Sequence, residues 1–162
     1  LVLNVPDSAL EYDPNTGDFF WGVSAARADL AGGRAGWRHH TGYRYVYWGG
    51  KAVAEHRLAW FTVNGQWPDL DIDHMDGVRD NNAIGNLRLA THQQNCANQK
   101  LASNNTSGHK NIYWNKRYCK FQVLVRAQNK WRSHGYFKTL EEAVPVAEAA
   151  RIEHFGEFAR AA

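Results

Sequence analysis

The alternation of hydrophobic and polar positions changes rhythm twice along the chain, dividing it into three stretches. Over residues 1–50 apolar residues come in short clusters between turn residues. Tyr12-Asp-Pro-Asn-Thr-Gly17 supplies a turn, Phe19-Phe-Trp21 reads as strand, and Ala31-Gly-Gly-Arg-Ala-Gly36 as a flexible loop. Tyr43-Arg-Tyr-Val-Tyr-Trp48 reads as a strand entering a tight turn at Gly49-Gly50. Over residues 51–102 the pattern predicts a short helix across 54–63, with Leu58, Ala59, Phe61 and Thr62 near one face. A short strand follows at 71–76, ending in a Gly77 turn, then a return strand at 87–89 and a helix capped by Thr91 that runs to about Lys100. Over residues 103–162 a polar linker, Ser103-Asn-Asn-Thr-Ser-Gly108, precedes three strand-like runs at 111–115, 120–128 and 130–137. Thr139-Leu-Glu-Glu142 has the form of a capping box and opens a helix whose apolar side carries Leu140, Ala143, Val144, Ala147, Ala150 and Phe155. Pro145 removes one backbone donor and is expected to kink its first turns. The predicted class is α+β.

Composition narrows the function. The 162 residues suit one medium domain or two small ones, and the seven Trp, seven Tyr and seven Phe can fill a core. No apolar run reaches the ~18 residues of a membrane span, and residues 1–10 lack the basic flank and long apolar stretch of a signal peptide. Cys96 and Cys119 form no CxxC pair, which excludes a four-cysteine zinc site within one chain and implies no disulfide framework. A reducing, intracellular setting is expected. The net charge of +3 says little, but its distribution says more. Residues 103–140 hold eight Lys or Arg and no acid, whereas residues 69–80 hold five Asp and one Arg. A basic face and an acidic loop point to a polyanion partner and a cation site.

The acidic loop carries the candidate chemistry: Asp73-His-Met-Asp-Gly-Val-Arg-Asp-Asn-Asn-Ala-Ile-Gly-Asn-Leu-Arg-Leu-Ala-Thr-His-Gln-Gln-Asn95. Asp73 and His74 are adjacent on a strand, so their side chains point to opposite faces, and one can hold a metal while the other takes a proton. Asn86 lies where the loop rejoins the second strand and can tie the loop backbone through its amide. Asn95, one turn into the helix, can reach back toward Asp73. His56-Arg-Leu-Ala-Trp60, Ile72-Asp-His-Met-Asp-Gly77, Asn81-Asn82, Asn86-Leu-Arg88 and Asn95 together resemble HNH (His-Me finger) endonucleases of phage and homing type, over about residues 51–100. The resemblance implies a ββα-metal finger at 51–102 with His74 as general base and Asp73 as metal ligand. It also implies Asn86 as the structural Asn of the loop and Asn95 in the second ligand position. Asn stands where many family members have His, and an oxygen-donor pair suits one divalent cation, Mg²⁺ or Mn²⁺. His56 and Arg57 are candidates for steadying the scissile phosphate. His92, His39 and His40 read as surface residues and Cys96 as a small buried side chain.

The basic stretch carries a second resemblance. Ser107-Gly, Lys120-Phe-Gln-Val-Leu-Val-Arg126, Gly135-Tyr-Phe-Lys-Thr-Leu-Glu-Glu-Ala143 and Ala149-Ala-Arg…Phe155-Gly-Glu-Phe-Ala159 resemble the Apetala or ethylene-responsive-element-binding domain. This implies a three-stranded antiparallel sheet on one helix over 103–162, with the sheet laid in the DNA major groove. Strand alternation independently turns Phe121, Val123 and Val125 toward the helix and Gln122, Leu124 and Arg126 outward. Lys110, Lys116, Arg117, Tyr118, Lys120, Gln122, Arg126, Trp131 and Arg132 are the candidate DNA contacts, the cations chiefly to phosphates. Trp and Tyr in this stretch read as core.

The leading expectation is a metal-dependent endonuclease acting on double-stranded DNA in a bacterial or phage-infected cytoplasm, with no membrane partner. Cutting both strands would take a homodimer or two sequential nicks. The competing expectation is a non-catalytic DNA-binding regulator, for which Asp73, His74 and Asn95 would be superfluous. A zinc-stabilised interaction module is a third class, disfavoured by the two unpaired cysteines. Residues 1–50 are expected to form a small antiparallel β segment beside the finger.

Overall fold

A computed structural model describes residues 2–23 and 28–160. They form two compact units, residues 1–90 and 91–162. The architecture is mixed α and β, with small antiparallel sheets and three α-helices among the described residues.

In the first unit, β1 (Leu3–Asn4), β2 (Leu10–Asp13) and β3 (Asp18–Trp21) form one sheet, in which Tyr12 lies opposite both Leu3 and Phe19. Gly17, at φ +80°, closes the β2–β3 turn, and a Cβ there would stand 2.2 Å from the backbone nitrogen of Ala83. The turn can therefore press on the 82–83 backbone only with glycine at this position. A second sheet joins β4 (Trp37–Arg38), β5 (Arg44–Trp48) and β6 (Lys51–Ala54). The β5–β6 turn is Gly49-Gly50, both at positive φ, as a two-residue hairpin requires. Helix α1 (Glu55–Asn64) follows at once and ends at Gly65, φ +73°, whose N–H donates to the Phe61 carbonyl. Its buried residues, Glu55, Leu58 and Ala59, have the i, i+3, i+4 spacing of one helix face. Val5, Leu10, Tyr12, Phe19, Val46, Leu58, Ile72 and Leu87 make the core beneath it. The hairpin of β7 (Asp71–His74) and β8 (Leu87–Ala90) pairs Asp73 with Arg88 and His74 with Leu87.

In the second unit, α2 (His92–Asn98) begins with a reciprocal capping box. The Thr91 hydroxyl accepts from the Gln94 N–H, and the Gln94 side chain accepts from the Thr91 N–H at 2.8 Å. Strands β9 (Ile112–Asn115), β10 (Lys120–Ala127) and β11 (Lys130–Phe137) form a sheet with β10 central, packed on α3 (Leu140–Phe155). Val123, Val125 and Ala127 are buried, and Ala143, Ala147 and Ala150 give them a close-fitting helix face. Gln128 and Asn129, both at positive φ, make the β10–β11 turn, and Gln93 clamps it by donating to the Arg126 carbonyl and accepting from the Gln128 N–H. The sheet contains a bulge: Val123 pairs with Gly135 and Leu124 with Ser133, leaving His134 unopposed. At the start of α3 the Thr139 hydroxyl accepts from the Glu142 N–H, but Glu142 reaches back to the N–H of Lys138 rather than Thr139. The helix runs through Pro145 to Phe155.

Candidate active site

Strand β7 delivers Asp73 and His74 side by side, and both are buried, 3% and 5% exposed. A buried carboxylate needs a counter-ion, and Arg88, opposite it in the hairpin, donates from Nε to Asp73 Oδ2 at 2.9 Å. Burial, outweighing the pull of Asn82 and three nearby aspartates, lowers the pKa of His74. The ring is thus neutral and basic at neutral pH.

The loop between the strands is held by two side chains. Asn86 accepts from the Asp76 N–H at 3.0 Å and donates to the Asn81 carbonyl at 2.8 Å and to Asp76 Oδ1 at 3.0 Å. Asp76 also accepts from the Val78 N–H and the Asn81 amide. Those hydrogen bonds to its charged form keep the Asp76 carboxyl below its usual pKa, although partial burial pushes the other way.

Behind His74 lies a buried polar chain that sequence reasoning missed. His74 Nε2 meets Asn82 Oδ1 at 3.1 Å, and Asn82 Nδ2 donates to Glu55 Oε2 at 3.3 Å. Because the amide spends its N–H on the carboxylate, its oxygen faces the imidazole, so His74 Nε2 carries the proton and the lone pair stands on Nδ1. Tyr12 donates from its hydroxyl to the Asn82 carbonyl at 2.7 Å, which fixes the backbone at that point. Glu55 in turn accepts from Arg44 Nε at 3.2 Å and lies 3.6 Å from Arg34. Burial still dominates and pushes the Glu55 carboxyl up to about 7, against the lowering by Arg44, Arg34 and Asn82. Gly36 borders the same carboxylate: a Cβ there would come within 2.4 Å of Glu55 Oε1. The loop expected to be merely flexible at this glycine is thus a packing contact. A sequence signal for Glu55 did exist, since it shares the helical face of Leu58 and Ala59. Asn82 stood in the Asn81-Asn82 pair of the family resemblance, but nothing set its role apart from that of a turn asparagine.

The other predicted residues are placed as follows. His56 stacks edge-on against His74, with ring centroids 5.3 Å apart, and both rings neighbour Tyr43. Burial, with smaller contributions from His74 and Arg57, drops the His56 pKa to about 3, so it is a neutral neighbour rather than a cationic phosphate clamp. Its Nδ1 is the one buried side-chain nitrogen or oxygen without a hydrogen-bond partner among the described residues. Arg57 donates to the Pro68 carbonyl at 3.1 Å. Asn95 lies half-buried on α2, in the second unit. Cys96, read as buried, is exposed and sits 3.6 Å from His92 Nε2.

On the C-terminal sheet, register puts Lys120, Gln122, Leu124 and Arg126 on the face away from α3, joined by Tyr113 opposite Gln122 and Trp131 opposite Arg126. Asn115 donates to Gln122, which donates to Ser133, forming a polar row across the three strands. Lys116, Arg117 and Tyr118 occupy the exposed β9–β10 turn, with Arg117 over the Tyr118 ring. Tyr118 and Trp131, candidate contacts, are exposed, and so are Tyr113, Trp114 and Tyr136, which had read as core. Arg132 pairs with inward-facing Val125, on the other side of the sheet from Arg126, and donates to Gln128. Lys110 is half-buried and donates to the Arg160 carbonyl at 3.1 Å.

A hairpin with an adjacent Asp–His pair and an Asn-tied loop is the arrangement that the family resemblance anticipated, and comparison with known proteins points to the same class, the HNH nucleases. Residues 53–97 match the HNH_3 family, described as HNH endonuclease. The chain carries an HNH endonuclease domain over these residues. It is similar to Protein 3.8 of Escherichia phage T7, 38% identical over 120 residues that cover 73% of this chain and 95% of that protein. It is also similar to an uncharacterized HNH endonuclease of Acanthamoeba polyphaga mimivirus, 32% identical over 74% of this chain and 62% of that protein. Among solved structures it is similar to the HNH homing endonuclease I-HmuI, from a study of DNA binding and cleavage. There the identity is 25% and the TM-score 0.46, over 60% of this chain and 56% of the other. No helix among the described residues is long and apolar enough to cross a membrane.

Proposed function

We propose that this chain is a divalent-metal-dependent endonuclease that hydrolyses phosphodiester bonds of double-stranded DNA, with His74 as the general base. The observation that carries the reading is the buried His74, held neutral by burial and fixed by Asn82, directly beside the buried carboxylate of Asp73. In the proposed reaction a water oxygen attacks phosphorus and its proton passes to His74. The bond from phosphorus to the 3′ oxygen breaks, the leaving oxygen takes a proton from solvent and His74 later returns its proton to solvent, leaving a 5′ phosphate and a 3′ hydroxyl. Asp73 would supply an oxygen ligand to Mg²⁺ or Mn²⁺, which fits its donor chemistry. When bound, the cation supplies positive charge that offsets the charge developing on the nonbridging and leaving oxygens. In the metal-free protein Arg88 neutralises Asp73, and a bound cation would share or displace that pairing.

The C-terminal sheet is the proposed DNA platform. Its support is the outer face, where Lys120, Gln122, Arg126 and Trp131 stand together beside the Lys116–Tyr118 turn, and the resemblance to Apetala-type domains. Function therefore divides the chain at 51–102 and 103–162 by chemistry, with residues 1–50 bracing His74 through Tyr12, Arg34 and Arg44. Similarity to a phage protein supports a setting in a phage-infected host cell. The test is nicking of supercoiled plasmid with and without Mg²⁺ or Mn²⁺, beside His74→Ala. Metal-dependent nicking that needs His74 supports the reading, and binding without cleavage under all conditions overturns it.

A further inference from the structure

We propose that the second unit carries a transition-metal site of its own, a Zn²⁺-type site formed by His134, Glu153 and His154, separate from the nuclease chemistry. Nε2 of His134 and Nε2 of His154 lie 3.3 Å apart, and one ligand atom from each of the three residues falls within 4.8 Å of the others. Two imidazoles bound tetrahedrally at ~2.0–2.1 Å from Zn²⁺ would be separated by about 3.3 Å. The same distance is long for an N–H hydrogen bond, whose usual length is ~2.9–3.0 Å. Ring centroids 5.3 Å apart at 63° place the two imidazoles edge to face, turned toward one point rather than stacked.

The backbone supports the convergence. His134 is the extra residue of the β-bulge in β11, with Ser133 and Gly135 paired on either side of it. Bulges re-aim side chains, and here the bulge sends His134 toward the helix side of the sheet, to meet His154. Glu153 and His154 sit in the last turn of α3, where the helix dipole favours positive charge. Two imidazoles and one carboxylate are a zinc ligand set with one position left for water. The bound ion would tie β11 to the end of α3.

The test is titration of Zn²⁺ into full-length protein carrying Asp73→Ala, which removes the proposed nuclease ligand, followed by calorimetry and thermal unfolding. One equivalent should bind and raise the melting temperature. His134→Gln and His154→Gln should each weaken binding by more than ~10-fold, the loss that even an outer-shell partner can bring. In uniformly ¹⁵N-labelled Asp73→Ala protein, two imidazole Nε2 resonances should shift on Zn²⁺ addition, which needs no histidine substitution. Absence of stoichiometric binding, or shifts confined to other histidines, overturns the proposal. With Co²⁺ as probe, a thiolate charge-transfer band would place the metal on Cys96 beside His92 and overturn it equally.

Discussion

Truncating Asn82 to alanine separates the positioning of His74 from its chemistry. The Asn82 side chain is fully buried and makes two hydrogen bonds, one from His74 Nε2 and one to Glu55 Oε2. Alanine leaves an imidazole N–H and a carboxylate oxygen facing a methyl group. The imidazole loses its Asn82 acceptor while Glu55 Oε2 still accepts from Arg44, so the unfolding free energy should drop by about 1–3 kcal/mol, the cost of one buried group short of a partner. The backbone carbonyl of residue 82 still accepts from Tyr12, so the loop keeps its anchor. The effect on rate is smaller. His74 remains buried and basic but loses the acceptor that fixes its tautomer and ring angle. A hydrogen bond of about 1–2 kcal/mol corresponds to about 10-fold in rate, and freedom of the ring adds to that loss. The ceiling is the ~10²–10⁴ that a positioned base contributes. A fall of about 10- to 100-fold in kcat/KM is the expected outcome, bounded by His74→Ala.

The assay is metal-dependent plasmid nicking, run well below the variant's melting temperature with circular dichroism as a check on folding. A double-mutant cycle gives the decisive comparison. If Asn82 acts through His74, Asn82→Ala combined with His74→Ala should be no slower than His74→Ala alone. A folded Asn82→Ala protein that cleaves within about twofold of wild type, or a double variant whose losses multiply, would refute the positioning argument.

Other perturbations probe neighbouring parts of the same argument. Because burial lowers the His74 pKa, the acid limb of kcat/KM should have its midpoint below the ordinary ~6.5; a midpoint at or above that value would count against a buried base. Glu55 is raised on folding from 4.5 to about 7, so its contribution to stability is full below pH 4.5 and lost as pH rises through 7. That corresponds to about 3 kcal/mol, so urea midpoints of wild type should decline relative to Glu55→Gln across this window, and parallel curves would contradict the shift. Arg88→Ala should destabilise the metal-free protein by up to about 3–5 kcal/mol by removing the guanidinium that neutralises buried Asp73, and Mn²⁺ should restore more stability to it than to wild type; equal increments would argue against a metal on Asp73. Arg126→Ala should reduce the salt slope of DNA binding by ~1, as loss of one phosphate contact does, whereas Lys110→Ala should leave it unchanged.

Elements with strong local signals were legible from sequence. Gly49-Gly50 announced its hairpin, Thr91 and Thr139 their helices, and the alternation in Lys120–Ala127 put Val123 and Val125 inside. What alternation could not reveal was the bulge at His134, because an extra residue leaves composition and hydrophobic pattern almost unchanged while shifting every partner beyond it. The exposed aromatics of the sheet were misread for a related reason. Tyr113 and Tyr136 look like core by residue type, but register with Gln122 places them on the outer face. At the site, adjacent Asp73 and His74 announced themselves by spacing. Their supports did not, because Glu55 and Asn82 are 27 residues apart and meet only through the fold.

That asymmetry has a physical basis. A base must be accessible to its water yet held in one protonation state and one orientation, and a solvent-exposed histidine meets neither of the last two needs. Burial supplies the neutral state but makes every polar atom near it costly unless paired. The chain from Arg44 through Glu55 and Asn82 to His74 meets that demand by giving each buried group a partner, and it ends where the cost is lowest, at partly exposed arginines. Residues drawn from β5, α1 and the loop after β7 are needed to complete it, so its members are scattered in sequence. The two glycines that admit it, Gly17 against the 82–83 backbone and Gly36 against Glu55, lie in the N-terminal stretch whose role the sequence left blank. The N-terminal sheets therefore belong to the proposed catalytic apparatus: they form the wall behind the buried His74.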